Sequence, residues 1–242
     1  MKYNSNGLII YKGISMLDNI TPIVVVATGL NFSSNKKTGN MIQTYIIRQD
    51  MKPTDAVKLG LDSSICGSCP YAGGQGCYVN VGHGPLSVYK AFKNNRYKTI
   101  ERKDYTRFKN RALRFGTYGD PAAVPYLIWF NLMKVGKVSR YTGYTHQWRN
   151  LGENWAFLMA SCDSKKDLKQ ANAKGWRAFE VITDITLAEN TVICPASEEG
   201  GYKTTCESCG LCKGNKSKAK SISIVVHGSR KNRAKESIKK LA

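Results

Sequence analysis

Cys66-Gly-Ser-Cys69, with Cys77 across the turn-forming stretch Tyr71-Ala-Gly-Gly-Gln-Gly76, forms one group of thiols. Cys194 followed by Cys206-Glu-Ser-Cys209-Gly-Leu-Cys212 forms a second, four thiols within nineteen residues. Thiolates two residues apart on glycine-rich loops can point at one centre, and soft sulfur ligands select zinc, copper(I) or iron–sulfur clusters. A packed apolar core has no use for that spacing, so the chain reads as a metal protein.

The two groups differ in what they can hold. Cys206, Cys209 and Cys212 repeat the run found in bacterial ferredoxins, with Cys194-Pro195 as a remote fourth ligand, and this predicts a [4Fe–4S] cluster. Zinc is the alternative, although it prefers two cysteine pairs with a longer spacer, which the third cysteine of the run fits poorly. Gly210 and Gly214 leave room for backbone N–H groups to face the cluster sulfurs. Cys66, Cys69 and Cys77 need a fourth partner, from Cys162, His83 or an exogenous ligand, or else they complete the other site. One cluster or two are therefore both open. Cys162 by itself reads as a small buried hydrophobe.

Composition sets the surroundings. The chain of 242 residues carries a net charge of +20. Its longest apolar runs, 23–27 and 156–160, are too short to cross a bilayer, and no charged-then-apolar leader opens it. A cytoplasmic protein is expected, where reducing conditions disfavour disulfides and leave clustered thiols for metals or catalysis. From Lys90 to Arg114, ten Lys/Arg against Glu101 and Asp104 leave a net of +8; from Lys213 onward, ten against Glu236 leave +9. In the first stretch Lys90, Lys93, Arg96, Lys98, Arg102, Lys103, Arg107, Lys109 and Arg111 alternate with Tyr89, Phe92, Tyr97, Tyr105 and Phe108. That mixture suits phosphate contact with base stacking, so nucleic acid or another polyanion is the expected partner, and no membrane.

Element patterns give the frame. The first twenty residues are an arm or a short strand. Pro22 to Thr28 and Met41 to Arg48 read as strands, Thr54 caps a short helix, and one helix after Pro85 should carry the basic–aromatic stretch. Strands are then expected at 113–116, 138–145, 155–160, 176–183, 191–193 and 221–226, with helices at 122–133 and 164–173. Strands alternating with helices imply a mainly parallel α/β sheet, a complete or distorted (β/α) barrel in one domain over 1–228, with an open doubly wound sheet as the alternative. Residues 229–242 form a basic tail. Function collects at strand carboxyl ends, where both Cys-rich loops are expected and which here carry Tyr118, Asp120, His146, Gln147, Trp148, Cys162, Asp163, Cys194 and His227; the first five outline a possible pocket. Asp120 is expected to cap its helix, and His83 to be structural. No carboxylate pair and no phosphate-binding glycine loop appears, so hydrolase and kinase chemistry has no residues to rest on.

Thr117-Tyr-Gly-Asp-Pro121, Thr142-Gly-Tyr-Thr-His-Gln-Trp148, Cys194-Pro-Ala-Ser197 and Thr205 to Cys212, with Ile65 to Pro70 and Cys77-Tyr-Val-Asn80, resemble a family of uncharacterised bacteriophage proteins. These are similar to the mycobacteriophage "gene product 88" group, some of whose members are labelled replication initiators. The resemblance covers roughly 22–228 and implies a phage-encoded protein acting in the host cytoplasm. The paired-histidine motif of nicking enzymes is missing. A likeness to radical-SAM barrels, in which three cysteines leave one iron free, implies SAM as a further cofactor, but the usual Cys-x3-Cys-x2-Cys spacing is absent.

Overall fold

The computed structural model describes residues 5–215 and 219–241. Strand β1 (Gly7–Ile14) opens the fold, so the first segment is a full strand rather than an arm. It runs antiparallel to β2 (Pro22–Thr28), which runs antiparallel to β3 (Ile42–Arg48). The β-branched run Ile23 to Val26 is wholly buried in this ladder. The expected parallel course of the Pro22 strand is thus corrected. No helix separates these strands, and without a crossover consecutive strands pair as hairpins.

After β3, helices α1 (Pro53–Lys58), α2 (Ser63–Cys66) and α3 (Gly84–Lys93) carry the chain over the sheet. Short β4 (Lys98–Thr99) joins the β1 edge, and β5 (Ala112–Tyr118) lies parallel to β3. Helix α4 (Tyr126–Lys134), strands β6 (Arg140–Thr142), β7 (Tyr144–Thr145) and β8 (Met159–Cys162), α5 (Lys165–Ala173) and β9 (Ala178–Ile182) follow. The chain closes with β10 (Val192–Ile193), α6 (Cys206–Cys209), β11 (Ile222–Val225) and α7 (Lys231–Leu241).

Two sheets result, in the orders β4-β1-β2-β3-β5-β6 and β10-β11-β9-β8-β7. Every pairing from β3 onward is parallel. A single residue, Gly143, joins β6 to β7 and so links the sheets. A Cβ there would stand 2.6 Å from Leu158 Cδ2 and 2.9 Å from Phe115 Cβ, so the junction needs a glycine. Behind it Phe115 meets Trp129 and Phe157 edge-on, with centroids 5.2 and 5.1 Å away. The outer strands β4 and β10 share no ladder, so the observed architecture is an open, parallel-rich α/β array.

Two further expectations change. The basic stretch is not one helix: it divides into α3, β4 and a 3-10 segment, Arg102–Phe108. Residues 153–155 form a 3-10 turn, so the expected 155–160 strand starts only at Met159. No helix among the described residues is long and apolar enough to cross a membrane.

Candidate metal centre

In a strand, alternate side chains share a face. Arg114 of β5, Tyr144 of β7, Phe179 and Val181 of β9, and Ile222 and Ile224 of β11 all turn to one concave side, and the irregular end of β5 adds Gly116, Thr117 and Tyr118 in succession. They enclose a cavity of about 350 Å³, and seven of the eight cysteines line it. The two cysteine groups form separate walls. Cys66 feels Cys69 and Cys77, whereas Cys194, Cys206, Cys209 and Cys212 act on one another.

Both walls use the same local device, Cys-Gly-x-Cys. Cys66 ends α2 and Cys209 ends α6, each helix a single turn. Gly67 (φ 58) and Gly210 (φ 63) then reverse the chain in the left-handed region, which a side chain resists, and deliver Cys69 and Cys212. Within α6, Cys206 and Cys209 are three residues apart and share a helix face. Gly210 N–H donates to Cys206 O, and a Cβ on Gly214 would stand 2.2 Å from Ala156 O. The Gly210 N–H is thus committed to the helix end, and Gly214 permits the close backbone approach to Ala156.

The first wall sits among acids and phenols. The Asp62 carboxylate accepts from Gly73 N–H at 2.9 and 3.0 Å, pinning the loop. Asp120 caps its 3-10 turn through Ala122 N–H, as expected, and its other oxygen accepts from His146 N–H at 2.8 Å. His146 Nε2 lies 3.0 Å from Asp163 Oδ2. Burial alone would depress the imidazole pKa, but the Cys69 sulfur and Asp163 carboxylate outweigh it and hold the value well above normal. Burial pushes the Cys66 thiol far up, with Cys69, Asp62, Cys77 and Asp120 adding to the effect, and pushes Cys77 up to about 11. Among the described residues the buried Tyr118 Oη has no hydrogen-bond partner, and the Tyr71 hydroxyl is directed to the Asp163 carboxylate.

The second wall sits among cations. The Lys37 and Thr38 carbonyls accept from Cys206 and Glu207 N–H, and Asn40 N–H donates back to Glu207 Oε2 at 2.8 Å. Arg140 Nη1 donates to the Glu207 and Ser208 carbonyls. Arg177, buried, donates to the Leu211, Gly214, Ala219 and Lys220 carbonyls at 2.7–2.9 Å, gathering the whole loop. Burial raises the thiols of Cys194 and Cys206, opposed by Lys37 for the first and by Arg114 and Lys37 for the second. Cys212 is pushed up to about 12 by burial against the pull of Tyr144.

This wall is not confined to the strand carboxyl ends, where the sequence predicts both cysteine loops. Cys194 follows the end of β10, but Arg140 and Arg177 stand at the starts of β6 and β9. Because β10 and β11 are parallel neighbours, residues 194–221 must return from the carboxyl end of β10 to the amino end of β11, and the cysteine run falls near the middle of that crossover.

Of the predicted pocket, Tyr118, Asp120 and His146 line the cavity; Gln147 and Trp148 do not. Trp148 is a core residue donating to Ser161 O, with the Arg149 guanidinium over its ring. Gln147 props the first loop through Cys66 O and Ser68. Cys162 is buried away from the cavity as the small hydrophobe expected, and exposed His83 is absent from the lining, so neither supplies a fourth donor. Lys37 and Arg114 were not legible as site residues. Nothing marks Lys37 within its polar loop, and Arg114 is one basic residue among ten.

The basic–aromatic stretch also departs from expectation. Tyr89, Tyr97 and Phe108 are core side chains, and Phe92 and Tyr105 pack half-buried against it, so they do not form a base-stacking face. Arg111 donates to the Gly29, Leu30 and Asn40 carbonyls and Arg107 to Asn31, while Lys98 pairs with Asp104 and Lys103 with Glu101. Lys90, Lys93, Arg96, Arg102 and Lys109 remain exposed. The basic tail does dock: Ala234 of α7 is buried against Tyr71 and Val226, and Ser237 Oγ donates to Gln75 O at 2.7 Å.

The donor sets fit soft-metal chemistry. Four thiols face cations on one wall; three thiols stand beside the phenols of Tyr71 and Tyr118 on the other. No three His, Cys, Asp or Glu side chains among the described residues already stand in single-ion geometry. Scans of protein-family models, curated proteins and solved structures give no match to this chain.

Proposed function

We propose that this chain is an iron–sulfur protein, with a [4Fe–4S] cluster on Cys194, Cys206, Cys209 and Cys212 and a second centre on Cys66, Cys69 and Cys77. The observation that carries the reading is the convergence of seven cysteines, as two separate groups, on one cavity. Burial raises the thiols of Cys66, Cys77, Cys194, Cys206 and Cys212, so these five stay protonated near neutral pH when unaided. A bound metal favours the thiolate and releases the proton. Such a cluster would supply electron transfer or structural cross-linking. Around it Lys37 and Arg114 offset thiolate charge, Arg177 holds the loop, and the strand side chains limit water.

Three thiols beside an open cavity favour a second reading, an open cluster site for SAM-dependent radical chemistry in a distorted half-barrel. It predicts SAM binding under anaerobic conditions. Zinc on the second wall is the third reading, and a colourless protein with stoichiometric zinc would establish it. Nucleic-acid association rests on charge alone, through the exposed basic residues of α3 and its neighbours. Its affinity should fall steeply as salt rises. Phage origin, the "gene product 88" resemblance and action in the host cytoplasm belong to the same proposal; its motifs supply most of the cavity wall.

The deciding experiment is an anaerobic visible spectrum with iron, sulfide and zinc quantified on the same sample. Iron and sulfide in equal amounts with a broad absorption near the blue would support the cluster. A sample free of iron after anaerobic reconstitution would sink it.

A further inference from the structure

Lys37 and Arg114 are held near one another on the cavity wall, close enough for each positive charge to act on the other. Neither lies within 4.0 Å of a carboxylate among the described residues, in contrast to Arg48, Lys98 and Lys165. Exposed Glu199 acts on Lys37 only through space. Arg114 Nη2 donates to Tyr78 Oη at 2.7 Å, which leaves the hydroxyl proton and the remaining guanidinium N–H groups uncommitted. Lys37 Nζ sits 3.3 Å from His227 Nε2, whose other nitrogen faces Val225 O at 3.2 Å. With Nδ1–H donating to that carbonyl, His227 is neutral and Nε2 accepts from Lys37, so two ammonium donors stay available. Next to this cationic corner the wall is apolar, formed by Phe179, Val181 and Ile224.

We propose that the cavity receives a small organic oxyanion, its head held by Arg114, Lys37 and Tyr78 and its apolar body laid on Phe179, Val181 and Ile224. The proposal rests on reading the cavity as the functional site, and it adds the substrate class. A guanidinium fork with a neighbouring ammonium matches a carboxylate or phosphate head, and Arg gives the planar bidentate geometry that Lys lacks. The cavity volume, about 350 Å³, falls at the small end of ligand pockets, which suits a compact molecule. Cys194 and Cys206 also attract Lys37, so charge neutralisation of thiolates is the competing account.

Calorimetric titration of the anaerobic, as-isolated protein separates the two, with metal quantified on each sample. The probes are hexanoate, acetate and inorganic phosphate. Hexanoate should saturate one site and bind more tightly than acetate, because only its chain reaches the apolar wall. Tighter phosphate than acetate binding would assign the head to a phosphate, and the reverse to a carboxylate. Arg114→Gln and Lys37→Met should each weaken binding about tenfold or more when compared with the unaltered protein at matched metal content. Tyr78→Phe, at an exposed residue, should weaken it a few-fold and guards against misfolding of the other two.

Absence of saturable binding by all three probes overturns the proposal. So does unchanged anion affinity in Arg114→Gln, or loss of metal with anion affinity retained. Failure of the iron–sulfur reading would appear in the metal assay and leave the titration intact.

Discussion

The two cysteine walls are built from the same Cys-Gly-x-Cys turn yet stand in opposite electrostatic surroundings. Asp62, Asp120 and Asp163 surround the three-thiol wall, whereas Lys37, Arg114 and Arg177 surround the four-thiol wall. The same local sequence device therefore meets different costs of ionisation. Neighbouring acids add to burial in raising Cys66, while neighbouring cations oppose burial at Cys206. The lesson is that ligand spacing sets which atoms can converge, and the distant charges set how readily they become thiolates.

The sharpest way to break this comparison is to remove one wall at a time. Cys206→Ser should abolish the metal of the four-thiol wall and leave that of the other, and Cys69→Ser should do the reverse. Metal and sulfide counts on both variants decide it. Loss of all metal from either single change would mean that the two walls form one site.

Gly214→Val tests the loop that carries the second wall. With φ at 74 and Ala156 O 2.2 Å from the added carbon, it should cost roughly 4 kcal/mol or more. Gly60→Ala, with φ at 69 but nothing within 4 Å, should cost only about 1 kcal/mol. Urea denaturation of the two variants measures both. Equal losses would show that the close approach at Gly214 is unimportant.

Arg177→Met should cost about 3 kcal/mol, since it strips charged donors from four carbonyls of that loop. Its expected signature is faster amide exchange across 206–215, with the first wall protected as before. Uniform exchange across both walls would contradict the separation.

The smallest effect is a pH dependence. Burial, then Lys37, lowers the His227 pKa below its ordinary 6.5. The unfolded chain binds that proton first, so the contribution is complete above pH 6.5 and declines as pH falls below it. His227→Gln should flatten the difference in thermal midpoint between pH 7 and pH 5 relative to the unaltered protein. An identical slope in the variant would remove His227 from the account.

Much of the frame was legible because it depends on short-range pattern. The β-branched run at Ile23, the Ser164 cap and the Asp120 cap were read from a few adjacent residues, and each stands where expected. Misreadings arose where one pattern admits two uses. Tyr89, Tyr97 and Phe108 between basic residues satisfy a stacking surface and an amphipathic element equally, and packing chose the core. Trp148 follows His146 in sequence, but it turns inward to Ser161 while His146 faces the cavity.

What the chain's order alone determined was the clustering of sulfur: a helical turn, a positive-φ glycine and a second cysteine need only four residues, so no distant contact is involved. What the tertiary structure decided was which groups face which. The parallel pairing of β10 with β11 forces the connecting segment back along the strands, and strand alternation turns Phe179 and Val181 to the same concave side. Lys37, nearly 160 residues before Cys194, joins that wall through tertiary contacts, among them the hydrogen bond from Cys206 N–H to its carbonyl. Separations of that length carry no local signal, because loop closure is settled by the burial it permits and not by the residues being joined.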